Sequence, residues 1–291
     1  MSLQFRSLGA LVLAATFVTA GCRGPERGGK GAAKSDANEP RIVSLHDVTT
    51  EIVVALGATE RLVGMAELYD ATDELRAATA AIEKVEGAES ILASGADVVL
   101  GLEIVKNKSP DLVASLLAHD KSVHLPALTS VNDVETLIRE VARRLKKEKE
   151  GEKLVADFSA KVGAKVAARE PKRVFVYDCC DPPFTAGRRT VLSDLIAREG
   201  GRNVFADVDA AYTHVSWEEV IARKPEMIVV HAYTDGASPD VSGKLEKLRA
   251  IEPLRALPVT VMPLRFSLGG LKTGEAATLL RSAVAGVAGP T

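Results

Sequence analysis

One long helical stretch separates two halves of the chain that repeat the same alternation of strands and helices, and this arrangement excludes most folds. From Glu148 to Arg169, the residues Leu154, Phe158, Val162 and Val166 recur every fourth position, with Val155 beside the first. That is an apolar stripe on a helical period. Lys153, Asp157, Lys161, Lys165 and Arg169 occupy the other faces. Pro171 ends the run, because proline cannot continue the backbone ladder and disfavours helix in the residue before it. Gly151 and Gly163 each weaken the helix by about 1 kcal/mol relative to alanine, so packing rather than propensity must hold it. A helix of this length reaches about 30 Å, the width of a small domain.

Before this helix, Arg41–Leu45, Leu62–Met65, Asp97–Gly101 and Val123–Leu125 read as short strands. Thr49–Leu56 and Leu112–His119 read as helices, with Asp47 the expected N-cap and Gly57 the stop of the first. Ser130, with Asp133 three residues on, opens a helix whose stripe is Val134, Leu137, Ile138, Val141 and Leu145. After Pro171 the pattern restarts, with strands at Arg173–Tyr177, Met227–His231 and Val259–Met262 and helices at Val191–Ala197, Trp217–Ala222 and Ala276–Val287. Such alternation predicts parallel sheets covered on both faces. The expected fold is α/β: two Rossmann-like lobes, residues 40–147 and 171–291, joined by one long rigid helix over residues 148–170. Ligands of such sheets bind beyond the carboxyl ends of the strands, and in two lobes those ends can face each other across a cleft.

Residues 1–21 read as an export signal. Arg6 supplies positive charge, and the apolar run Leu8–Val18 is too short to span roughly 30 Å of hydrocarbon. Thr19-Ala20-Gly21-Cys22 resembles a bacterial lipobox, with Thr19 where leucine is usual, so Cys22 is the expected site of acylation. Residues 22–39, rich in Gly, Ala, Lys and Ser and without apolar period, are expected to be a disordered tether. Together these predict a membrane-anchored lipoprotein facing the periplasm or the cell exterior. The run from Gly24 to Gly31 nearly spells a P-loop, but Gly31 stands where Ser or Thr must bind Mg²⁺ and no strand precedes it. With Cys22 set aside, the cysteines are the neighbours Cys179 and Cys180. A bridge between adjacent residues, with Cα atoms about 3.8 Å apart, falls below the usual disulfide range. They are expected to be small buried residues that let the loop turn before Pro182-Pro183, the alternative being soft-metal binding as thiolates.

The segments Pro40-Arg-Ile-Val-Ser-Leu45, Thr50-Glu51-Ile52, Ala55-Leu-Gly-Ala58 and Leu62-Val-Gly64 look like the opening of the periplasmic-binding-protein family for cobalamin and ferric siderophores. In the second half, Pro182-Pro-Phe-Thr-Ala-Gly187, Gly200-Gly-Arg-Asn203, Val215-Ser-Trp-Glu-Glu219 and Ala222-Arg-Lys-Pro225 are similar to its cobalamin-binding members in particular. The resemblance runs from about Pro40 to Gly286. It implies the class III architecture, two lobes on a single backbone helix, and the substrate-binding role in an ABC importer. The metal chelate would be a transported ligand rather than a cofactor, handed to a permease with its ATPase. The resemblance further implies one exposed acid per lobe docking into basic pockets of the permease, and by position these fall on Glu89 and Glu218. Paired charges of this kind fix register and raise on-rate more than they add affinity. Tyr212 sits where the cobalamin binders use a ligand-facing aromatic, whereas Leu68 replaces a ligand tyrosine and Tyr69 is shifted by one.

Cleft candidates are the residues just past the strand ends. In the first lobe these are His46, Asp47, Glu67, Tyr69, Asp70 and Glu103. In the second they are Asp178 to Phe184, Tyr212 to His214, His231, Tyr233 and Arg265. Two chemistries compete. Aromatic residues could stack on a macrocycle or a catecholate, with Arg265 pairing a carboxylate or phosphate of the chelate. Alternatively, His46, His214 and His231 ligate Zn, Mn or Fe directly, or a haem iron axially, although no two share a ligand spacing. The chain lacks a Gly-x-Ser-x-Gly elbow, His-Glu-x-x-His and a dinucleotide fingerprint, so a receptor is expected rather than an enzyme and no catalytic residue is assigned. A net charge of −2 argues against a nucleic-acid partner. A monomeric receptor is the expectation; a metal-binding lipoprotein without a permease, or an enzyme, is the alternative.

Overall fold

Short runs of β-branched residues build two separate parallel sheets. The computed structural model describes residues 39–233 and 241–286. The expected signal sequence, the acylation site Cys22 and all of the expected tether but Glu39 lie outside the described residues. The first sheet contains β1 (Ile42–Ser44), β2 (Leu62–Met65), β3 (Val98–Leu100) and β4 (Ser122–His124), in the order β2-β1-β3-β4. Its connections carry α1 (Asp47–Ala55), α2 (Asp73–Ala78), α3 (Gly87–Ala93), α4 (Glu103–Lys108) and α5 (Pro110–Ala118). Two helices follow, α6 (Val131–Arg144) and α7 (Glu148–Val162).

The second sheet takes β5 (Lys172–Tyr177). Then β6 (Phe184–Ala186) leaves the sheet, α8 (Val191–Arg198) covers it, and β7 (Gly201–Asn203) rejoins it. Next come β8 (Tyr212–His214), α9 (Trp217–Ala222), β9 (Met227–Ala232), α10 (Ser242–Ala250) and β10 (Val259–Pro263). The chain closes with α11 (Leu264–Ser267) and α12 (Thr273–Val284). The sheet order is β10-β9-β5-β7, all parallel, while β6 and β8 pair antiparallel as a separate ribbon. That ribbon, which no sequence period announced, carries Phe184, Tyr212 and His214.

The two sheets share one continuous apolar cluster. It runs from Ile42 and Ile52 through Leu137, Ile138, Val155 and Phe158 to Val174, Leu192 and Leu280. Burial of this surface couples the halves, since apolar area removed from water is the main favourable term in folding. The link differs from the expected single helix reaching Arg169. α7 stops at Val162, about 22 Å long, because Gly163 turns into the left-handed region at φ 76°. Val166, assigned to the helical stripe, instead donates its backbone N–H to Arg198 O at 2.7 Å. α6 and α7 form an antiparallel hairpin, in which Glu152 meets Arg139 and Ser159 meets Glu135. Gly151 is there for close approach: a Cβ on it would lie 2.4 Å from that of Ala142.

Candidate functional site

α1 begins one residue earlier than Asp47 would set it, because His46 is the N-cap: its backbone is extended and its Nδ1 accepts the N–H of Val48 at 3.2 Å. Asp47 has another task. Its carboxylate accepts the backbone N–H groups of Tyr69 and Asp70, each at 2.9 Å, and so pins the loop after β2. Below them a buried hydroxyl net, Ser44 to Thr49 at 2.7 Å and Thr50 to Ser44 at 2.8 Å, locks the end of β1 to the start of α1.

The carboxyl ends of the first-half strands open onto a space that is closed from the second half by the loop before α8, the start of β8 and the end of α11. One crevice of about 320 Å³ is walled by His46, Glu103, Ile104, Asn107 and Leu128 from the first half and by Arg189, Tyr212, Ser267 and Leu268 from the second. A second, of about 400 Å³, shares His46, Ile104 and Leu268 and adds Asp47, Glu67, Tyr69 and Lys108. Two large apolar side chains stand exposed here, Tyr69 at 68 % and Ile104 at 43 %. A third void of about 20 Å³, bordered by Asp47, Glu51, Asp70 and Arg265, has room for a single water.

Contacts bridge the halves around these crevices. Asp70, buried, accepts the backbone N–H of Arg265 at 2.7 Å and its Nη1 at 3.2 Å. Arg189 approaches Glu103 at 3.5 Å, and the rings of Tyr69 and Tyr233 meet edge to face at 6.1 Å. Glu51 Oε2 accepts Leu271 N–H at 2.8 Å. Burial pushes the Glu51 carboxyl up, more than that N–H and the nearby Lys272 pull it down. A raised carboxyl favours the folded state most when protonated, so its contribution falls as pH rises from the unfolded value of about 4.3 through the higher folded one. Glu51→Gln should therefore be more stable than the wild type at pH 7, and the gain should vanish at pH 4. Urea melts at the two pH values check this.

A second cluster centres on Asp178. His231, fully buried, hydrogen-bonds Asp178 Oδ1 through Nδ1 at 2.7 Å, and Tyr233 donates its hydroxyl to Asp178 Oδ2 at 2.9 Å. Lys244 donates to the carbonyls of Asp178 and His231. Burial raises the Asp178 carboxyl, but the hydrogen bond and charge of His231, the Tyr233 hydroxyl and Lys244 outweigh it and hold Asp178 below the usual carboxylate range. The neighbouring Tyr212 phenol is pushed up, first by burial and then by the Asp178 charge. Phe184 stacks on Tyr212 with ring centroids 5.6 Å apart, and His214 lies against Phe184 at 4.8 Å.

Of the residues expected at the cleft, His46, Asp47, Tyr69 and Tyr212 wall the crevices, and Arg265 borders the small void. Asp178, Phe184, His214 and His231 wall none of these three spaces. The alternative metal set does not assemble. His46 caps a helix, His231 is held by Asp178, and His214 lies 3.2 Å from Pro182 O. Among the described residues no three His, Cys, Asp or Glu side chains are arranged to hold a metal ion. Cys179 and Cys180 also depart from expectation: they are bridged to each other, with Cα atoms 3.7 Å apart. Cys180 lies in a turn at φ 77° and is exposed rather than packed. Glu89 and Glu218 are exposed in the first turns of α3 and α9, one in each half. Ile104, Lys108, Arg189 and Leu268 were not anticipated. Ile104 and Lys108 belong to a helix too short for a period to reveal, and Arg189 and Leu268 lie in loops.

Residues 42–254, well over half the chain, match the periplasmic binding protein family. The chain belongs to that family. A vitamin B12-binding protein from Pectobacterium carotovorum subsp. carotovorum is 27 % identical over 243 residues, covering 79 % of this chain and 83 % of that protein. Among solved structures, a periplasmic binding protein from Veillonella parvula superposes with a TM-score of 0.77 at 22 % identity, over 86 % of this chain and 92 % of that one. The apo form of the periplasmic heme-binding protein RhuT from Roseiflexus sp. RS-1 does so with a TM-score of 0.66 at 25 % identity, over 84 % and 99 %. The two-lobe α/β reading and the assignment to binding proteins rather than enzymes both hold.

Proposed function

We propose that the protein is the receptor of an ABC importer and takes a metal chelate, a ferric siderophore, haem or a corrinoid, into the crevices between its halves. The observation that carries this is the pair of crevices that residues of both halves wall past the strand ends of the first sheet, with exposed Tyr69 and Ile104, Tyr212 and several polar side chains. Small-molecule sites are concave, mostly apolar and furnished with a few fixed polar groups, at roughly 300–1,000 Å³. Each crevice is at the lower end of that range, which favours a compact chelate; a corrinoid carrying its nucleotide arm is larger than either alone. Aromatic faces suit both a macrocycle and a catecholate. The relatives support the class of ligand, one being described as vitamin B12-binding and another as heme-binding.

Delivery to a permease is supported by Glu89 and Glu218, one exposed acid in each half, for which no ion pair is found among the described residues. Acylation of Cys22 would hold the receptor at the membrane. The bare-ion alternative lacks an assembled ligand set among the described residues. A thermal-shift panel of cyanocobalamin, cobinamide, haemin, ferric siderophores and bare Zn²⁺, Mn²⁺ and Fe³⁺ tests the reading. A ligand at 100 times its Kd adds about 2.7 kcal/mol of stability. A shift with a chelate and none with bare ions supports it; a shift with bare ions alone overturns it.

A further inference from the structure

His46 is the one ring that walls both crevices. The backbone N–H of Val48 can only donate, and it donates to His46 Nδ1 at 3.2 Å. Nδ1 is therefore an acceptor, and in the neutral ring the proton sits on Nε2. The ring is kept neutral near pH 7. Burial lowers its basicity, the charge of Asp47 opposes this, and the charge of Lys108 adds to it. Nε2 has no protein partner among the described residues, and Lys108, on the wall of the second crevice, likewise makes no ion pair there. The carboxylates on the crevice walls are engaged, Asp47 by two backbone N–H groups, Glu67 by Lys84 at 3.8 Å and Glu103 by Arg189 at 3.5 Å.

We propose that His46 is a fixed hydrogen-bond donor of the ligand site, and that the chelate sets an anionic oxygen where the two crevices join, between His46 Nε2–H and the Lys108 ammonium. The proposal rests on the receptor reading above and narrows it: the ligand is oxygen-rich and anionic at this point, as a carboxylate, catecholate or hydroxamate is. It also excludes His46 as a metal ligand. Coordination through Nε2 would move the proton to Nδ1, and two N–H donors would then face each other at the start of α1.

The test uses three proteins, the wild type, His46→Asn and His46→Gln, titrated with haemin, a ferric catecholate, a ferric hydroxamate and cobinamide. Asparagine is a good N-cap but too short to reach the ligand, so His46→Asn should fold with a melting point close to that of the wild type. Glutamine carries an N–H out to about the position of Nε2. For the chelate that binds, His46→Asn should weaken affinity about 10- to 100-fold, the cost of a hydrogen bond to a charged group. His46→Gln should recover most of it, and the visible spectrum of the bound metal centre should be the same in all three. The chelate that binds identifies which oxygen is used. Affinity unchanged in His46→Asn, or a metal spectrum altered in both variants, overturns the proposal and leaves the receptor reading standing. Failure of every chelate to bind the wild type overturns both. In the free protein, ¹⁵N shifts of the His46 ring should show a protonated Nε2 and a bare Nδ1; the reverse tautomer overturns the proposal without any ligand.

Discussion

Arg281→Ala should lower the melting temperature by roughly 10 °C, the equivalent of about 3–5 kcal/mol for a domain of this size. The cost resides in Glu199, whose side chain is 1 % exposed. Arg281 holds it in a two-pronged pair, Nε to Oε2 at 2.7 Å and Nη2 to Oε1 at 3.0 Å, and Nη2 also caps the carbonyl of Val162 at 2.9 Å. Three helix ends meet at this guanidinium: the close of α7, the C-cap of α8 and the last turn of α12. Gly163 leaves it room, since a Cβ there would already lie 3.1 Å from Nη2. Removing the arginine strands a buried carboxylate. Replacing both partners, Arg281→Met with Glu199→Leu, should return stability to within about 2 kcal/mol of the wild type, because an apolar pair needs no compensation. Denaturant titration of the single and double variants checks both. A single variant within about 1 kcal/mol of the wild type would contradict the assignment.

Asp178→Ala should cost about 1–3 kcal/mol at pH 7, because the buried His231 Nδ1 loses its acceptor, while the Tyr233 hydroxyl, on a partly exposed ring, can turn to water. His231 has no second recourse among the described residues, where its buried Nε2 has no partner. The pH dependence identifies the mechanism. Asp178 is held below the ordinary carboxylate range when folded, so its contribution is present above the unfolded value of about 3.9 and is lost as pH falls through the folded value. The penalty of the substitution should accordingly be full at pH 7 and shrink below pH 4. A penalty constant over that range would mean that Asp178 acts through shape alone.

How much of this could be read from the sequence depends on the kind of physics involved. Sheets and principal helices were legible where a period or a continuous apolar run existed: Arg173–Tyr177 is seen as Lys172–Tyr177, and the Ser130–Asp133 capping box is present as expected. Local geometry was harder. The end of α7 rests on the φ of Gly163, and its stripe continued in sequence to Val166 although the chain had already turned. Asp47 has good N-cap chemistry, but a tertiary demand from the Tyr69–Asp70 loop claims its carboxylate and leaves His46 to cap the helix. The bridge between Cys179 and Cys180 ran against a distance argument: their Cα atoms are 3.7 Å apart, below the usual disulfide range, and the two are bridged all the same. Strand-end position found His46, Asp47, Tyr69 and Tyr212 on the crevice walls, but it could not separate them from Asp178 and His231, which hydrogen-bond each other away from those walls.

The central claim, that a chelate occupies the space between the halves, is tested most directly by calorimetric titration of the wild type and of Ala211→Trp with the chelate that gives the largest thermal shift. Ala211 is exposed on the wall of the 320 Å³ crevice, so an indole there fills the space without entering the core. The account predicts one binding site per chain in the wild type and a loss of at least about tenfold in affinity, or about 1.4 kcal/mol, in a variant that still melts cooperatively. Full affinity in the folded Ala211→Trp protein would place the ligand elsewhere and contradict the account.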